Sequence, residues 1–342
     1  MKKSLITFGL FTFFVLMVYG QEKKYALYSV AFYNLENLFD TIHDEGKNDY
    51  EYLPNGANQW NTMKYKAKLK NMAEVLSKLS TDKLPMGPAI IGVSEIENYR
   101  VLEDILKQPA LADRGYKYIH HEGEDRRGVD CAFFYNPKLF ELTGSKLLPY
   151  IYENDTVHKT RGFLIASGTI AGEKMHFIVN HWPSRAAASP ARERAGVQVK
   201  AIKDSLLRED PTAKVVIMGD MNDDPMDKSM AVSLGTKRKQ MDVGPTDLYN
   251  PWWDTLKKGN GTLMYDGKWN LFDQIVFTGN LLGNDRSTLK YYRNEIFRRD
   301  YMFQKEGKYK GYPKRTHAGG VWLNGYSDHL PTIIYLIKEI KD

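Results

Sequence analysis

The sequence predicts an α/β fold in which strands and helices alternate along the chain. Short apolar runs rich in β-branched and aromatic residues recur from end to end, and helical patterns lie between them. No repeat or low-complexity linker divides the chain, so we predict one domain over residues 21–342. The predicted strands are Leu27–Phe32, Ala89–Val93, Val129–Tyr135, Phe163–Ile170, Met175–Val179, Val215–Met218, Leu271–Phe277 and Thr332–Ile337.

Two helices stand out between these strands. A serine and a proline, Ser189 and Pro190, predict the start of one helix, with the serine as N-cap and the proline in the first turn, and this helix runs to about Arg208. An apolar stripe predicts the other, because residues three and four apart share one face of a helix. That stripe consists of Tyr65, Leu69, Met72, Leu76 and Leu79.

The composition is that of a globular protein with a sizeable core. The 342 residues are 42% hydrophobic and 13% aromatic, and 48 basic against 42 acidic residues give a net charge of +6. This modest excess favours an anionic partner. The single cysteine, Cys131, excludes an internal disulfide, and its apolar surroundings predict a buried side chain.

The first twenty residues have the pattern of an export signal. Lys2 and Lys3 precede an apolar core from Leu5 to Val18, and the small residue Gly20 follows. Because this core is shorter than the roughly 20 apolar residues that span a bilayer, we predict a cleaved signal peptide, residues 1–20, and no stable membrane anchor. The mature chain is then periplasmic or secreted. Nothing in the sequence predicts a protein partner.

Polar residues stand at the ends of three of the apolar runs. Asn34 follows the first run, Glu95 follows a glycine-containing run, and His181 ends a third. Each also has a structural interpretation: an Asn after a strand is common turn chemistry, and a lone histidine is often only a satisfied structural group. Their repeated position at strand ends favours one assembled site.

Later in the chain the polar residues come in short motifs. Asp220 and Asn222, in Gly-Asp-Met-Asn, lie two positions apart and share one side of an extended segment. Asp273 lies within an apolar strand, where an unpaired acid costs several kcal/mol. Asp328 and His329 form Ser-Asp-His near the end of the chain. Acids beside nitrogen-bearing side chains after strands indicate metal-assisted hydrolysis of a phosphate ester.

With these motifs in this order, the chain resembles the endonuclease/exonuclease/phosphatase superfamily. This group includes deoxyribonuclease I, exonuclease III, sphingomyelinases and inositol polyphosphate 5-phosphatases, and the chain is similar to its secreted bacterial-type members. The resemblance extends from about Tyr28 to Leu336. It implies a four-layer α/β sandwich, in which helices flank two packed, mostly antiparallel β-sheets and the site lies at the sheet rims.

The resemblance also implies a role for each site residue. Glu95 would be the main carboxylate ligand of Mg²⁺ or Mn²⁺, with Asn34 and Asp328 completing or supporting the shell. His329 would pair with Asp273 and either activate water or bind the phosphate. Asp220 and Asn222 would orient the nucleophile and the scissile phosphate, with Asp220 a candidate base in the exonuclease-like variant of the mechanism. His181 would serve as a second acid in the deoxyribonuclease-like variant.

Three further residues bear on the site. Arg161 matches an arginine that family members place against phosphate, although a surface arginine at a strand start explains the same residue. Glu97, two positions beyond Glu95, is a reserve metal ligand. Ser94 stands where many relatives have glutamine, so the sequence leaves open which side chain supports Glu95.

The substrate is the least determined property. Our leading hypothesis is a secreted endonuclease, because the segment Arg298–Arg315 interleaves basic and aromatic residues, and Trp182 follows His181. Each feature also has a structural alternative. The segment could be a solvated loop with its aromatic residues packed beneath it, and Trp182 could be buried. The enzyme alternative is a phospholipid or sugar-phosphate phosphoesterase. The minor alternative is a non-catalytic binding protein, which predicts the loss of an essential residue, and none is missing.

Overall fold

The computed structural model describes residues 23–153, 155 and 157–340, so the predicted signal peptide lies outside the described residues. The strands in chain order are β1 Lys24–Leu38, β2 Ile90–Ile96, β3 Lys117–His120, β4 Asp130–Tyr135, β5 Glu141–Leu148, β6 Phe163–Ile170, β7 Glu173–His181, β8 Lys214–Asp220, β9 Thr236–Lys237, β10 Leu248–Tyr249, β11 Leu263–Tyr265, β12 Lys268–Asn270, β13 Asp273–Thr278, β14 Lys290–Ile296, β15 His317–Ala318, β16 Val321–Trp322 and β17 Thr332–Ile340. The α-helices are α1 Thr62–Lys78, α2 Tyr99–Leu106, α3 Pro109–Ala112, α4 Ser189–Glu209 and α5 Trp253–Lys257.

Two large sheets form the centre of the molecule. One has six strands in the order β14-β17-β1-β2-β4-β3, and the other has seven in the order β5-β6-β7-β8-β13-β10-β9. Three neighbouring pairs are parallel, namely β1 with β2, β7 with β8, and β9 with β10. The other pairs within these two sheets are antiparallel.

The apolar core between the two sheets follows from strand alternation, because successive side chains of a strand point to opposite faces. Val30 and Phe32 of β1 pack in one buried cluster with side chains from the other sheet, such as Phe177 and Met218. Gly92 of β2 permits this approach, since a Cβ there would lie 2.5 Å from the Met218 sulfur.

Helices cover the two outer faces. The alternate residues of β1, Ala31 and Tyr33, pack against α1 through Met72 and Leu76. On the far side, α4 packs against β6, β7 and β8 in a separate buried cluster that includes Val199. The architecture is therefore the four-layer sandwich that the resemblance implies.

All eight predicted strands are present, and so are both predicted helices. One detail was wrong: Ser189 is the first residue of α4 and not its N-cap, which is Ala188 and makes no side-chain capping hydrogen bond. Pro190 then occupies the first turn, where its missing N–H costs nothing. Within the described residues, no helix is long and apolar enough to cross a membrane.

Candidate active site at the strand ends

The sheet topology brings distant residues to one rim. Asn34, Glu95, His181 and Asp220 lie at or near the carboxyl ends of β1, β2, β7 and β8. Because β13 runs antiparallel to β8, its first residue, Asp273, lies opposite Asp220. The motif Asp328-His329 comes just before β17, which pairs antiparallel with β1, and so it reaches the same rim.

A cavity of about 330 Å³ occupies this rim. Seven of the nine predicted site residues line it, and the other two, Asn34 and Asp273, lie fully buried directly behind it. Five lining residues were not predicted: Glu36, Asn37, Arg127, Ser184 and Arg315. The complete lining is Glu36, Asn37, Glu95, Arg127, Arg161, His181, Ser184, Asp220, Asn222, Arg315, Asp328 and His329.

Asn34 joins two acids of the cavity. Its Nδ2 donates to Glu95 Oε1 and to Asp220 Oδ2, at 3.0 Å in both cases. Its Oδ1 accepts a hydrogen bond from the backbone N–H of Glu36 at 2.8 Å, and a backbone N–H can only donate. The amide orientation is therefore determined, and Asn34 holds the two carboxylates from behind.

The backbone of the rim is strained. Nine non-glycine residues in the described part of the chain have left-handed φ angles, and four of them line the cavity. Such a conformation costs about 1–2 kcal/mol per residue, so the surrounding contacts must hold it in place. The four residues are Glu36 (47°), Asn37 (50°), Glu95 (58°) and Asn222 (52°).

His329 is held as a cation. Its Nδ1 lies 2.7 Å from Asp273 Oδ2, and its Nε2 lies 3.8 Å from Asp220 Oδ2. Burial opposes a charged ring, but the negative charges of Asp273 and Asp220 outweigh it and raise the pKa of His329 well above its ordinary value. The buried acid that the sequence placed in a strand is thus paired, as its burial requires.

Asp220 lies between the two histidines of the cavity. Its Oδ2 is 3.7 Å from Nε2 of His181 and 3.8 Å from Nε2 of His329, and its Oδ1 accepts from the Asn222 backbone at 2.9 Å. Burial raises the pKa of Asp220 to about 7, with the positive charge of His329 opposing the shift. Asn222 itself donates through Nδ2 to the Trp182 carbonyl at 3.0 Å.

His181 has the opposite electrostatic environment. Its Nε2 lies 3.7 Å from Glu95 Oε1, and its buried Nδ1 has no hydrogen-bond partner. Burial, followed by the positive charges of Arg161 and Arg127, lowers the pKa of His181 well below its ordinary value. The ring is therefore neutral at physiological pH.

One buried acid holds the two arginines of this side. Asp125 Oδ2 accepts from Arg161 Nη1 at 3.0 Å, and Asp125 Oδ1 accepts from the Arg127 backbone N–H at 2.9 Å. Arg161 also donates from Nη2 to the Trp182 carbonyl at 3.0 Å, while its buried Nε has no partner. Arg161 is thus a fixed guanidinium at the cavity wall and not a surface side chain.

A second network, buried at Glu36 and Lys68, holds the opposite wall. Arg315 donates to Glu36 Oε1 at 3.3 Å and to Asp328 Oδ2 at 2.7 Å. Lys68 of α1, whose side chain is 1% exposed, lies 3.6 Å from Glu36 Oε2. Burial and the charge of Asp328 raise the pKa of Glu36 to about 6, while Lys68 and Arg315 oppose the shift. The only sequence signal for Glu36 and Asn37 was their position directly after Asn34.

Several sequence hypotheses have structural answers. Glu97 does not line the cavity: its carboxylate accepts from the Asp40 backbone at 2.7 Å. Trp182 is 1% exposed, so it is a core residue and presents no face to a ligand. In the basic and aromatic segment, Tyr301 packs on Tyr326 and Phe303 packs on Trp269. Two of its four aromatic rings are therefore structural, and Arg315 alone among its residues lines the cavity.

The cavity fits a divalent cation. Glu95, His181 and Asp220 offer ligand atoms within 4.8 Å of one another. Four carboxylates line the same cavity, those of Glu36, Glu95, Asp220 and Asp328, and Arg315 compensates only two of them directly. Carboxylate oxygen is the donor that hard cations such as Mg²⁺ and Mn²⁺ prefer.

Solved structures with this fold cover nearly the whole chain. An endonuclease/exonuclease/phosphatase family protein from Bacteroides thetaiotaomicron is 17% identical with a TM-score of 0.58, over 94% of this chain and 98% of that one. D. rerio TDP2 complexed with single-strand DNA product is 16% identical (TM-score 0.55; 91% and 99% covered). A Bacteroides thetaiotaomicron mannosyl-6-phosphatase is 17% identical (TM-score 0.56; 90% and 99% covered).

Sequence comparison supplies the family. No curated protein sequence gives a significant match. A sequence model of the endonuclease/exonuclease/phosphatase family, in contrast, matches residues 29–338, which include every residue of the cavity. The chain therefore belongs to the endonuclease/exonuclease/phosphatase family and is a metal-dependent phosphoester hydrolase.

Proposed function

We propose that the protein is an exported phosphodiesterase that acts as a nuclease on nucleic-acid phosphodiester bonds. The observation that carries the proposal is the close placement of an acid poised near neutrality, Asp220, and a histidine cation, His329, in one cavity. Their nearest charged atoms are 3.8 Å apart. This pair supplies a base for a water molecule and a positive charge for the phosphate.

Asp220 acts as the general base in this proposal. A base with a pKa near the working pH combines a useful deprotonated fraction with a useful driving force for proton transfer. The Asn222 backbone N–H orients Oδ1 of Asp220, and Asn34 Nδ2 orients Oδ2, which lies within 3.8 Å of both histidine rings. Water aligned there would lose its proton to Asp220 as its oxygen attacks phosphorus and the bond from phosphorus to the departing ester oxygen breaks.

His329 and Arg161 bind the phosphate. Asp273 holds the His329 ring through Nδ1, so the Nε2–H group points toward the cavity and donates to a phosphate oxygen. Arg161 offers a fixed guanidinium on the other side, held by Asp125. Neutral His181 donates from Nε2 and requires no counter-charge for itself.

Glu95 and Asp328 would hold the divalent cation, Mg²⁺ or Mn²⁺, with Asn34 orienting Glu95 from behind. When bound, the ion supplies Lewis-acid neutralisation of the phosphate and of the departing oxygen. The amide of Asn34 is a positioning group here, because its oxygen is already bonded to the Glu36 N–H.

Two observations support nucleic acid as the substrate. The chain carries a net charge of +6, which favours a polyanion. The structurally similar TDP2 was solved with a single-strand DNA product. A sugar-phosphate phosphoesterase is the second candidate, because a mannosyl-6-phosphatase has the same fold. Residues 1–20 support export through their signal-like pattern.

The test is a substrate panel with a matched control. Purified protein is incubated with plasmid DNA, RNA, sphingomyelin and mannose 6-phosphate, with Mg²⁺, with Mn²⁺ and with chelator. The His329→Ala variant is compared with His121→Ala, an exposed histidine outside the cavity. We expect metal-dependent nucleic-acid cleavage that only His329→Ala abolishes. Turnover of mannose 6-phosphate or sphingomyelin without nucleic-acid cleavage would overturn the nuclease assignment.

A further inference from the structure

A second cavity adjoins the first, and none of the proposed catalytic residues lines it. It measures about 440 Å³ and is lined by Asn48, Tyr50, Glu51, Gly56, Ala57 and Arg127. Arg127 lines both cavities, so the two spaces meet at its side chain. A group attached to a phosphate in the first cavity can therefore extend past Arg127 into the second.

The loop that forms this cavity is anchored on both sides of Tyr50. Asp49 is buried, and its carboxylate bonds to His43 Nδ1 at 2.5 Å and to the Asp44 N–H at 2.8 Å. Tyr52 stacks on Phe39 with ring centroids 4.2 Å apart. The wall is thus a built feature, whose shape does not depend on a bound molecule.

The same loop is tied to the segment that carries Arg127. The Asn48 N–H donates to the Arg126 carbonyl at 2.7 Å. Lys47 Nζ donates to the Gly123 carbonyl at 3.0 Å. These contacts hold the Tyr50 wall and the arginine wall at a constant separation.

The anchored loop nevertheless leaves the aromatic ring of Tyr50 largely exposed. Tyr50 is 59% exposed, and its only ring contact in the described residues is with His43, at 4.8 Å between centroids. Gly56 keeps the base of the cavity open, because a Cβ there would lie 2.0 Å from the Tyr50 carbonyl oxygen. Any larger residue would displace the loop.

The chemistry of the lining selects its ligand. Glu51 is a carboxylate and would repel a second phosphate, so the bound group is not an anion. Glu51 and Asn48 offer oxygen acceptors for N–H and O–H groups, and Tyr50 offers a face for a planar ring. A nucleoside attached to a phosphate has a neutral planar ring with hydrogen-bond donors and matches this lining.

We propose that this second cavity is a subsite for the nucleoside attached to the scissile phosphate, with its base stacked on Tyr50. The proposal rests on the proposed nuclease function. Arg127 then lies at the junction between the phosphate and the nucleoside.

The test compares two esters with the same leaving group, the p-nitrophenyl esters of thymidine 5′-phosphate and of methyl phosphate. Wild type should prefer the thymidine ester, and Tyr50→Ala should lower the ratio of the two kcat/KM values about tenfold, as expected for one base stack. Tyr50→Phe should restore the ratio because it keeps the ring. Tyr292→Ala, an edge-strand tyrosine that is 51% exposed, should leave the ratio unchanged. An unchanged ratio in Tyr50→Ala would overturn the subsite.

A binding measurement separates failure of the subsite from failure of the proposed function. Calorimetry follows thymidine 5′-monophosphate, with inorganic phosphate as reference ligand. If neither ester is hydrolysed, the nuclease function fails, and the calorimetry still decides the subsite. An approximately tenfold weaker binding of the nucleotide alone in Tyr50→Ala supports the subsite. Equal weakening of both ligands, no change, or no binding to wild type overturns it.

Discussion

The two sides of the active-site cavity carry histidines that are equally buried but differ in charge, since one ring is a cation and the other is neutral. His181 and His329 are both 6% exposed, and burial alone would keep each ring neutral. His329 faces two aspartates, Asp273 and Asp220, and so its pKa is raised. Burial lowers the pKa of His181, and the positive charges of Arg161 and Arg127 lower it further.

Burial favours the neutral form of both rings, and the neighbouring aspartates overcome it only at His329. The two histidines therefore give the two sides of the cavity different charges. A cationic donor stands on the Asp273 side, and a neutral donor stands on the Asp125 side, where the arginines already supply positive charge. Asp220 lies between them and interacts with both rings.

The largest expected effect comes from removing the charge that holds His329. Asp273→Asn keeps the shape of the side chain and removes its negative charge, so the pKa of His329 should fall and the histidine cation should be lost at neutral pH. We expect kcat to decrease by about 10³-fold, within the range for loss of an acid/base or charge-stabilising group. Steady-state kinetics with saturating metal measures this. A decrease of less than tenfold would contradict the assigned role.

Truncating the neutral histidine should have a smaller effect. His181→Ala removes one donor at the cavity wall, and we expect a decrease in kcat of about 10²-fold. His181→Gln retains an N–H donor and should retain more activity, with about a tenfold decrease. The same kinetic assay compares the two variants. Equal losses in both would mean that the ring has a function beyond hydrogen-bond donation.

Arg161→Gln should reduce the difference in pKa between His181 and His329. It removes a guanidinium from the phosphate side, so KM should rise about tenfold with a smaller change in kcat. It also removes the largest charge that lowers the pKa of His181, which should move toward its ordinary value. Kinetics gives the first result, and NMR titration of the histidine ring gives the second. An unchanged titration would show that burial alone keeps His181 neutral.

The smallest effect is on stability, and its sign differs between the two histidines. The folded-state pKa of His329 is raised, so its stabilisation is present below pH 6.5 and is lost as pH rises through that folded-state value. The folded-state pKa of His181 is lowered, so stability is lost as pH falls below 6.5. The effect is about 1.4 kcal/mol for each unit of pKa difference.

Denaturant unfolding in chelator between pH 5 and 9 tests this sign. Relative to wild type, His329→Gln should remove a decline in the free energy of unfolding at high pH. His181→Gln should remove a decline at low pH. The same pH dependence in both variants would refute the assignment of a cationic His329 and a neutral His181.

The fold and most of the site could be predicted from the sequence. The eight apolar runs coincide with strands because burial in a sheet requires such runs. The polar residues at the ends of these runs indicate where the rim of the sheets lies. All nine predicted site residues lie in or directly behind one cavity. The short strands β11 and β12 carry too few residues for a periodic signal.

Other parts of the site could not be predicted. Arg127 and Arg315 lie in loops, where no periodicity indicates which way a side chain points. Glu97 was a reserve ligand on the assumption of regular alternation after Glu95. The irregular register between Ser94 and Ile96, with Glu95 at a positive φ, breaks that alternation.

By itself the sequence determined which side chains bear the chemistry and which edge of the sheets they share, because strand alternation and strand ends are local properties. Only the tertiary structure decided their charge states. His329 meets Asp273 across 56 positions of sequence, and Asn34 meets Asp220 across 186. A pKa depends on charges within a few ångströms in space, and the folded topology alone determines which charges those are.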